Sequence, residues 1–158
     1  MEWMIRKARA ADTPAVLEMI RRTTFFRPDE EAIAHEVLQQ ATTGDGSGYQ
    51  SYVAESGGRV GGWVCFGATP CTLGTFDVYW IAVDPDRQKT GLGSRLLAFA
   101  EQRIAEQGGR LVVIETSGKD LYRPTHRFYE KNGYRRAACI EDFYATDDPK
   151  LIYTKAIT

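Results

Sequence analysis

The sequence predicts an α+β fold in which helices are interleaved with the strands of one mixed sheet. Two observations carry this prediction. Apolar residues recur at helical spacing in several segments, and short runs rich in aromatic and β-branched residues lie between those segments. The chain has 158 residues, which is enough for one sizeable hydrophobic core, and no linker divides it. We therefore expect a single domain spanning residues 1–158.

The first half of the chain should supply two helices and four strands. Asp12 is placed to cap the first helix, and Pro14 suits its first turn. Gly57 and Gly58 are typical of a tight hairpin turn between two strands. In order, we expect a strand at 4–8, helices at 12–24 and from 28, a loop at 42–49, and strands at 51–55, 60–66 and 76–83.

The second half should alternate between helices and strands. Leu92, Leu96 and Leu97 share one face of a helix that Gly108 ends. Leu111 begins an almost continuous apolar run, as expected of a strand covered on both faces. In order, we expect a helix at 91–107, a strand at 111–115, a short helix at 125–131, and closing antiparallel strands at 134–140 and 151–156.

Composition excludes several classes of function. The formal net charge is −1, so the chain has no basic excess with which to bind a nucleic acid. No apolar run approaches the roughly 20 residues that cross a bilayer, so we expect no membrane partner. Cys65, Cys71 and Cys139 form no CxxC pair and indicate a reducing, cytoplasmic location. His35 and His126 lie too far apart in sequence to suggest a metal site.

The most informative segment lies between a strand and a helix. The strand that contains Ile81 ends in Asp84 and Pro85, and Gly91 and Gly93 precede the helix. Such glycines let the backbone approach a ligand closely, and the N–H groups and dipole of a helix N-terminus favour a diphosphate. On these residues alone, a plain turn before a helix remains open.

Two better-known nucleotide motifs do not fit this segment. The dinucleotide fingerprint needs a third Gly or Ala where Leu96 stands. The phosphate loop of nucleotide triphosphatases needs Gly-Lys-Ser/Thr, which this segment lacks. The segment therefore predicts a diphosphate ligand of another kind.

Two motifs in this order resemble those of the GNAT superfamily of N-acetyltransferases. The first is Gln88-x-x-Gly91-x-Gly93 after a strand that ends Ile-Ala-Val-Asp-Pro, and the second is the run from Phe128 to Tyr134, Phe-Tyr-Glu-Lys-Asn-Gly-Tyr. The resemblance implies a central, mostly antiparallel mixed sheet flanked by about four helices. It also implies transfer of an acetyl group from acetyl-CoA to a primary amine of a small molecule or peptide in a ternary complex, without a metal.

The resemblance also implies which residues bind acetyl-CoA. The strand before the loop would pair with the pantetheine arm, the loop amides would hold the pyrophosphate, and the Val83 N–H would face the thioester carbonyl. Tyr129 would protonate the leaving thiolate, although a buried aromatic with only a packing role is the alternative. The implied residues are Ile81, Ala82, Val83, Gln88, Lys89, Thr90, Gly91, Leu92, Gly93, Ser94 and Tyr129.

The general base is left open between two carboxylates. Asp77 lies six residues before Val83, where some family members carry a catalytic glutamate, and Glu115 ends the next strand. Either could instead be an ordinary solvated charge, and an amine that arrives neutral needs no base. The chain departs from the family at Tyr122, where an asparagine seven residues before the tyrosine is usual.

The acceptor is only partly indicated. The segments 25–28 and 141–148 combine aromatic residues with charges, which suits a cationic amine with an apolar body. The alternative is that Asp147 and Asp148 belong to a plain solvated turn. A non-catalytic module of the same fold that binds acyl-CoA and reports it to a partner stays open, as do a longer acyl donor and a homodimer.

Overall fold

The computed structural model describes residues 2–43 and 47–157 and contains one seven-stranded sheet. Its strand order is β1-β2-β3-β4-β5-β7-β6, with β4 parallel to β5. The described residues also form four α-helices, which confirms the predicted α+β class. The elements are β1 (Met4–Lys7), α1 (Thr13–Thr23), α2 (Pro28–Thr43), β2 (Gln50–Ser56), β3 (Arg59–Ala68), β4 (Thr75–Val83), α3 (Leu92–Glu106), β5 (Leu111–Ser117), α4 (Arg123–Lys131), β6 (Arg135–Ala145) and β7 (Asp148–Ala156).

The chain forms two compact units. Unit 1 comprises Met1–Gly67 and Trp80–Ala100, and unit 2 comprises Ala68–Tyr79 and Glu101–Thr158. The single domain at 1–158 stays a prediction. Among the described residues, no helix is both long and apolar enough to span a membrane.

The core of unit 1 lies between the first two helices and the sheet. Val16 and Ile20 of α1, Leu38 of α2, and Val53 and Trp63 of the sheet are completely buried. The Trp63 indole N–H donates to Ser51 Oγ at 2.7 Å, which satisfies its polar atom inside the core. Apolar residues at helical spacing in α1 and α2 thus face the sheet, as the sequence pattern predicts.

The start of α3 also packs on the sheet of unit 1. A Cβ built on Gly62 of β3 would lie 2.6 Å from Leu96 Cδ1, so the glycine leaves room for the Leu96 side chain in its present position. Leu92 and Leu96 are both buried. This packing fixes the N-terminus of α3 and therefore the loop that precedes it.

Unit 2 is built around β5, which lies between β4 and β7. Thr75–Val78 pair in parallel with Leu111–Ile114, and β7 pairs with β5 on its other side. Val112, Ile114 and Tyr153 are buried. The predicted strand with two covered faces is therefore β5, whose Val112 and Ile114 are buried while Leu111 and Val113 are partly so.

Three local predictions need correction. Asp12 is the N-cap residue of α1, as predicted, but its side chain does not cap the helix, because its carboxylate accepts hydrogen bonds from Arg6 at 2.8 Å and from the Arg9 N–H at 2.8 Å. The Arg6 guanidinium holds the pKa of Asp12 below its usual value. The loop predicted at 42–49 begins later, because α2 continues through Thr43, and residues 44–46 lie outside the described residues.

The third correction concerns the β6–β7 turn. Asp148 is not solvated: it is 4% exposed, begins β7 and accepts a hydrogen bond from Ser117 Oγ at 2.5 Å. Asp147 alone takes the left-handed conformation of a turn residue, with φ of 63°. A buried carboxylate with a hydroxyl donor has a structural role in this unit.

Candidate active site

Asp84 anchors the predicted diphosphate loop of unit 1 at its start. Its N–H donates to the Gly61 carbonyl at 2.9 Å, which ties the end of β4 to β3. Its carboxylate is buried and accepts from the Asp86 N–H at 2.9 Å and from Arg22 of α1 at 2.8 Å. Pro85 fixes the following 3₁₀ turn. The loop therefore leaves the sheet in a defined direction.

The backbone of the loop has the shape of an anion-binding turn. Lys89 and Gly91 both have positive φ, at 68° and 85°. For the non-glycine Lys89 this conformation is strained, and such strain clusters at ligand-binding loops. Left-handed residues within a turn can point successive N–H groups toward one side, a known anion-binding arrangement.

The first turn of α3 adds donors to the same place. The first backbone bond of the helix runs from the Arg95 N–H to the Gly91 carbonyl at 3.1 Å. The amides of Leu92 and Gly93 precede that bond, so helix geometry gives them no intrahelical acceptor. The partial positive charge of the helix N-terminus also favours an anion at this point. Gln88, Lys89, Thr90 and Gly91 are all exposed.

The last residues of β4 before the loop lie beyond its ladder with β5. The β4–β5 ladder runs from Thr75 to Val78 of β4 and stops there, although β4 continues to Val83. Within the described part of the chain, Ile81–Val83 thus have no ladder partner in β5. The Gln88 side-chain amide donates to the Val83 carbonyl at 3.3 Å, which links the loop to this edge.

Unit 1 therefore brings together ten of the eleven residues that the sequence implied for acetyl-CoA. Two of them, Ala82 and Leu92, have buried side chains, so only their backbone groups can face a ligand. The Thr90 hydroxyl donates to the Arg87 carbonyl, so it stabilises the loop itself. The exposed cation of Lys89 adds positive charge where a diphosphate would bind.

Tyr129, the eleventh residue, lies in unit 2 on α4. It is buried and packs at 5.6 Å against Tyr153 and at 6.2 Å against Tyr134, measured between ring centroids. Burial, and secondarily the neighbouring Tyr153, raise the pKa of Tyr129 above its usual value. The phenol is therefore protonated at neutral pH, as a proton donor must be. Tyr122 precedes the first residue of α4, and Pro124 lies in the first turn of the helix.

The two candidate bases differ in their partners. Asp77 is half-buried on β4 and accepts a hydrogen bond from the Thr69 hydroxyl at 2.6 Å. Glu115 lies in β5, two residues before its last residue, is 43% exposed and forms an ion pair with Lys150 at 2.5 Å. The Lys150 ammonium therefore already occupies one oxygen of this carboxylate. The geometry thus favours Asp77 as the more available carboxylate.

The acceptor segments hold one feature that the sequence did not reveal. The Lys150 ammonium lies 4.0 Å from the centre of the Phe143 ring while it pairs with Glu115. A lysine of the chain itself therefore occupies the aromatic and acidic surroundings that suit a cationic amine. In unit 1, Phe26 packs on Trp80 with ring centroids 5.1 Å apart and lines the core cluster.

Sequence reasoning missed two positioning residues. Arg22 fixes Asp84 although the two lie 62 positions apart, and Lys150 fixes Glu115 across the β5–β7 ladder. Neither contact has a local sequence signal, because each joins residues that only the fold brings together.

Among the described residues, no group of three or more histidine, cysteine or acidic side chains is placed to hold a metal ion.

Comparison with known proteins identifies the family to which this arrangement is similar. Residues 47–136 match the sequence profile of the acetyltransferase (GNAT) domain. S-(2-succino)cysteine N-acetyltransferase from Bacillus subtilis is 30% identical over 90 residues, which is 54% of each chain. The match thus covers about half the length of that relative.

Two solved structures have the same fold over nearly their whole length. One, from Desulfovibrio desulfuricans, is described as a candidate acetyltransferase of the GNAT family; it is 37% identical, with a TM-score of 0.94 over 99% of this chain and 100% of the other. The second is an aminoglycoside 6'-N-acetyltransferase in complex with coenzyme A, at 17% identity and a TM-score of 0.77, covering 98% and 97%. At that identity the second structure shows the fold alone.

Proposed function

Because this chain belongs to the GNAT family of acetyltransferases and is an N-acetyltransferase, we propose that it transfers acetyl directly from acetyl-CoA to a primary amine in a ternary complex. The acceptor is the amine of a small molecule or a peptide, and residues 1–158 act as one catalytic domain. The observation that carries the proposal is the loop of unit 1, where Lys89 and Gly91 have positive φ just before the N-terminus of α3.

Two arguments support acetyl-CoA as the donor. Acetyl-CoA carries a diphosphate, which suits the amides of Gln88–Ser94, and a pantetheine arm with amide groups, which suits the open edge of β4 at Ile81–Val83. The bound coenzyme A of the structurally similar aminoglycoside acetyltransferase supports the same donor. The reaction needs no metal in this proposal.

Three groups of the chain serve the chemical step. The Val83 N–H donates to the thioester carbonyl oxygen and stabilises negative charge as the amine attacks the carbonyl carbon. Asp77, with Glu115 as the second candidate, accepts the proton of the ammonium through water. Tyr129 donates its phenolic proton as the carbon–sulfur bond breaks, so that the thiol leaves uncharged.

Direct transfer predicts a specific kinetic pattern. Initial rates measured while both acetyl-CoA and the amine are varied should give intersecting double-reciprocal lines, because both substrates must be bound together. Cys65 is a poor covalent carrier, since burial raises its pKa to about 12 and keeps it a thiol. Parallel lines, or an acetylated enzyme trapped without an acceptor, would instead indicate a covalent intermediate.

The experiment that tests the activity is CoA release across an amine panel of polyamines, aminoglycosides, amino acids and peptides. Amine-dependent release with at least one acceptor is the expected result. Acetyl-CoA binding with no release for any member would favour the alternative of a non-catalytic acyl-CoA module. Competition by longer acyl-CoAs in the same assay reports the acyl-chain preference.

We further propose a cationic acceptor, and Lys150 provides its test. In Lys150→Met the Phe143 ring and Glu115 lose the cation that they bind within the chain. The KM of cationic amines should therefore fall about twofold to fivefold, which corresponds to the free energy of an exposed cation–π contact. Methionine retains an apolar stem of similar length. Steady-state KM values for cationic and neutral amines measure the change.

Lys150→Arg is the matched control for this variant. It keeps a cation at the Phe143 ring and should leave the preference between cationic and neutral amines unchanged. An unchanged or higher KM for cationic amines in Lys150→Met would remove this region from the acceptor site.

We also propose a cytoplasmic location, because the described Cys65, Cys71 and Cys139 are all free thiols.

A further inference from the structure

Trp3 of unit 1 lies directly before β1 and packs against β3. A Cβ built on the buried Gly61 would lie 2.4 Å from Trp3 Cη2 and 2.6 Å from Trp3 Cζ3, and the three atoms nearest to it all belong to Trp3. A glycine inside a strand commonly marks such a close approach. The half-buried indole ring therefore rests on the backbone of β3 itself.

The same glycine holds the start of the diphosphate loop. The Gly61 carbonyl accepts the Asp84 N–H at 2.9 Å, and the Asp84 carbonyl accepts the Arg87 N–H at 2.8 Å in the turn that follows. The Arg87 side chain then returns to the indole, with its Cζ 6.0 Å from the centre of the Trp3 ring. This distance is within the reach of a cation–π contact. Trp3 thus contacts the start of the loop through both Gly61 and Arg87.

A third contact joins Trp3 to the end of the loop. Arg95 of α3 donates from Nη2 to the Trp3 carbonyl oxygen at 3.1 Å. The Arg95 N–H also makes the first backbone hydrogen bond of α3, to the Gly91 carbonyl. Trp3 therefore bridges the two ends of segment 87–95, which contains the amides of the proposed diphosphate site.

We propose that Trp3 is a positioning residue for the acetyl donor and holds the diphosphate loop in its binding conformation before acetyl-CoA arrives. The inference rests on the proposed function, since it takes this loop as the donor site. Lys89 and Gly91 of the loop have positive φ, so the conformation needs support from outside the loop. A loop that is already ordered loses less conformational entropy when the ligand binds, which raises affinity.

Hydrogen exchange of the unliganded chain tests the positioning without any ligand. In Trp3→Ala the ring is removed, and the Asp84 and Arg87 amides should exchange about threefold faster or more, because the turn they hold opens more often. The Tyr122 N–H is the matched control. It donates to the Lys119 carbonyl at 2.9 Å in a similar 3₁₀ turn of unit 2, and its exchange should not change.

Calorimetric titration of acetyl-CoA tests the consequence for the donor. Trp3→Ala should raise the Kd about fivefold, the effect of losing a cation–π contact together with ring packing. Trp3→Phe keeps an aromatic face and should bind closer to the unmodified chain than to Trp3→Ala. Gly61→Ala should also raise the Kd, because its methyl group displaces the ring. In the double variant with Trp3→Ala it should add little, since the ring is already absent.

The two measurements separate this inference from the proposed function. Unchanged exchange of the Asp84 and Arg87 amides in Trp3→Ala would overturn the positioning role, whether or not acetyl-CoA binds. Faster exchange in Trp3→Ala, with no acetyl-CoA binding by the unmodified chain, would support the positioning of the loop and contradict acetyl-CoA as its ligand. An unchanged Kd in Trp3→Ala would overturn the inference as well, as would a Gly61→Ala effect that is equally large without the ring.

Discussion

Replacing Tyr129 with phenylalanine is expected to lower kcat about a hundredfold or more, while the affinity for acetyl-CoA stays within about twofold of the unmodified chain. The phenol supplies the proton for the leaving thiolate, and loss of a general acid typically costs 10²–10⁴ in rate. Phenylalanine keeps the ring that packs on Tyr153 and Tyr134, so the fold of α4 is retained. Steady-state kinetics and acetyl-CoA titration measure the two effects separately.

Tyr134→Phe is the matched control for that variant. Tyr134 belongs to the same aromatic cluster, but its hydroxyl donates to Glu101 at 2.7 Å. The control should lose about 1–2 kcal/mol of stability, because it leaves a carboxylate oxygen of Glu101 without one donor. Its kcat should change little. Equal losses of kcat in both variants would mean that Tyr129 acts through packing and does not supply the proton.

Gly91→Ala should weaken acetyl-CoA binding by tenfold or more. The backbone at Gly91 has φ of 85°, and an added Cβ would meet nothing within 4 Å. The substitution therefore acts through conformation alone: alanine disfavours positive φ by roughly 1–2 kcal/mol and moves the loop amides away from the diphosphate. Calorimetric titration of acetyl-CoA measures the loss of affinity.

Gly108→Ala separates the loss of binding from the loss of stability. Gly108 follows α3, has φ of 82° and also leaves an added Cβ in open space. The two substitutions should thus lower the free energy of unfolding by similar amounts, while only Gly91→Ala weakens acetyl-CoA binding. If both variants bind acetyl-CoA equally well, the geometry of the loop at Gly91 is not what holds the donor.

Local patterns were enough to predict the loop and the order of the elements. The glycine spacing at Gly91 and Gly93 and the strand stop at Pro85 are short-range signals, and the structure has a strand, a turn and a helix at these positions. The helix end at Gly108 is of the same kind, since its φ of 82° is open to glycine at little cost. Each of these features depends on neighbouring residues alone.

The closing strands were predicted too short for a physical reason. The pattern ended β6 at residue 140 and began β7 at 151, whereas the ladder reaches Ala145 and Asp148. Glu141, Asp142 and Lys150 are poor strand formers, so propensity argues against pairing there. Pairing of Ile140 with Lys150 and of Ala145 with Asp148 extends both strands across a register shift at residues 141–144, and no single-strand pattern reports such pairing.

Partners of the charged residues were beyond sequence reasoning. Asp12 was predicted to cap a helix because it precedes one, yet its carboxylate accepts a hydrogen bond from Arg6 of β1. Glu115 looked like a free strand-end carboxylate, yet Lys150 lies beside it. The types and spacing of residues in the sequence predicted which side chains could take part in catalysis. The fold determines which of those side chains already form ion pairs or hydrogen bonds with other residues.

Thermal unfolding of the chain with and without acetyl-CoA tests the central claim most directly. A ligand that binds only the folded chain, at about a hundred times its Kd, adds roughly 2.7 kcal/mol of stability. For a chain of this size that amount should raise the midpoint by about 5–10 °C. We expect this rise with acetyl-CoA and little change with ATP or NAD at the same concentration. No rise at millimolar acetyl-CoA would contradict the assignment of the loop as the site of the acetyl donor.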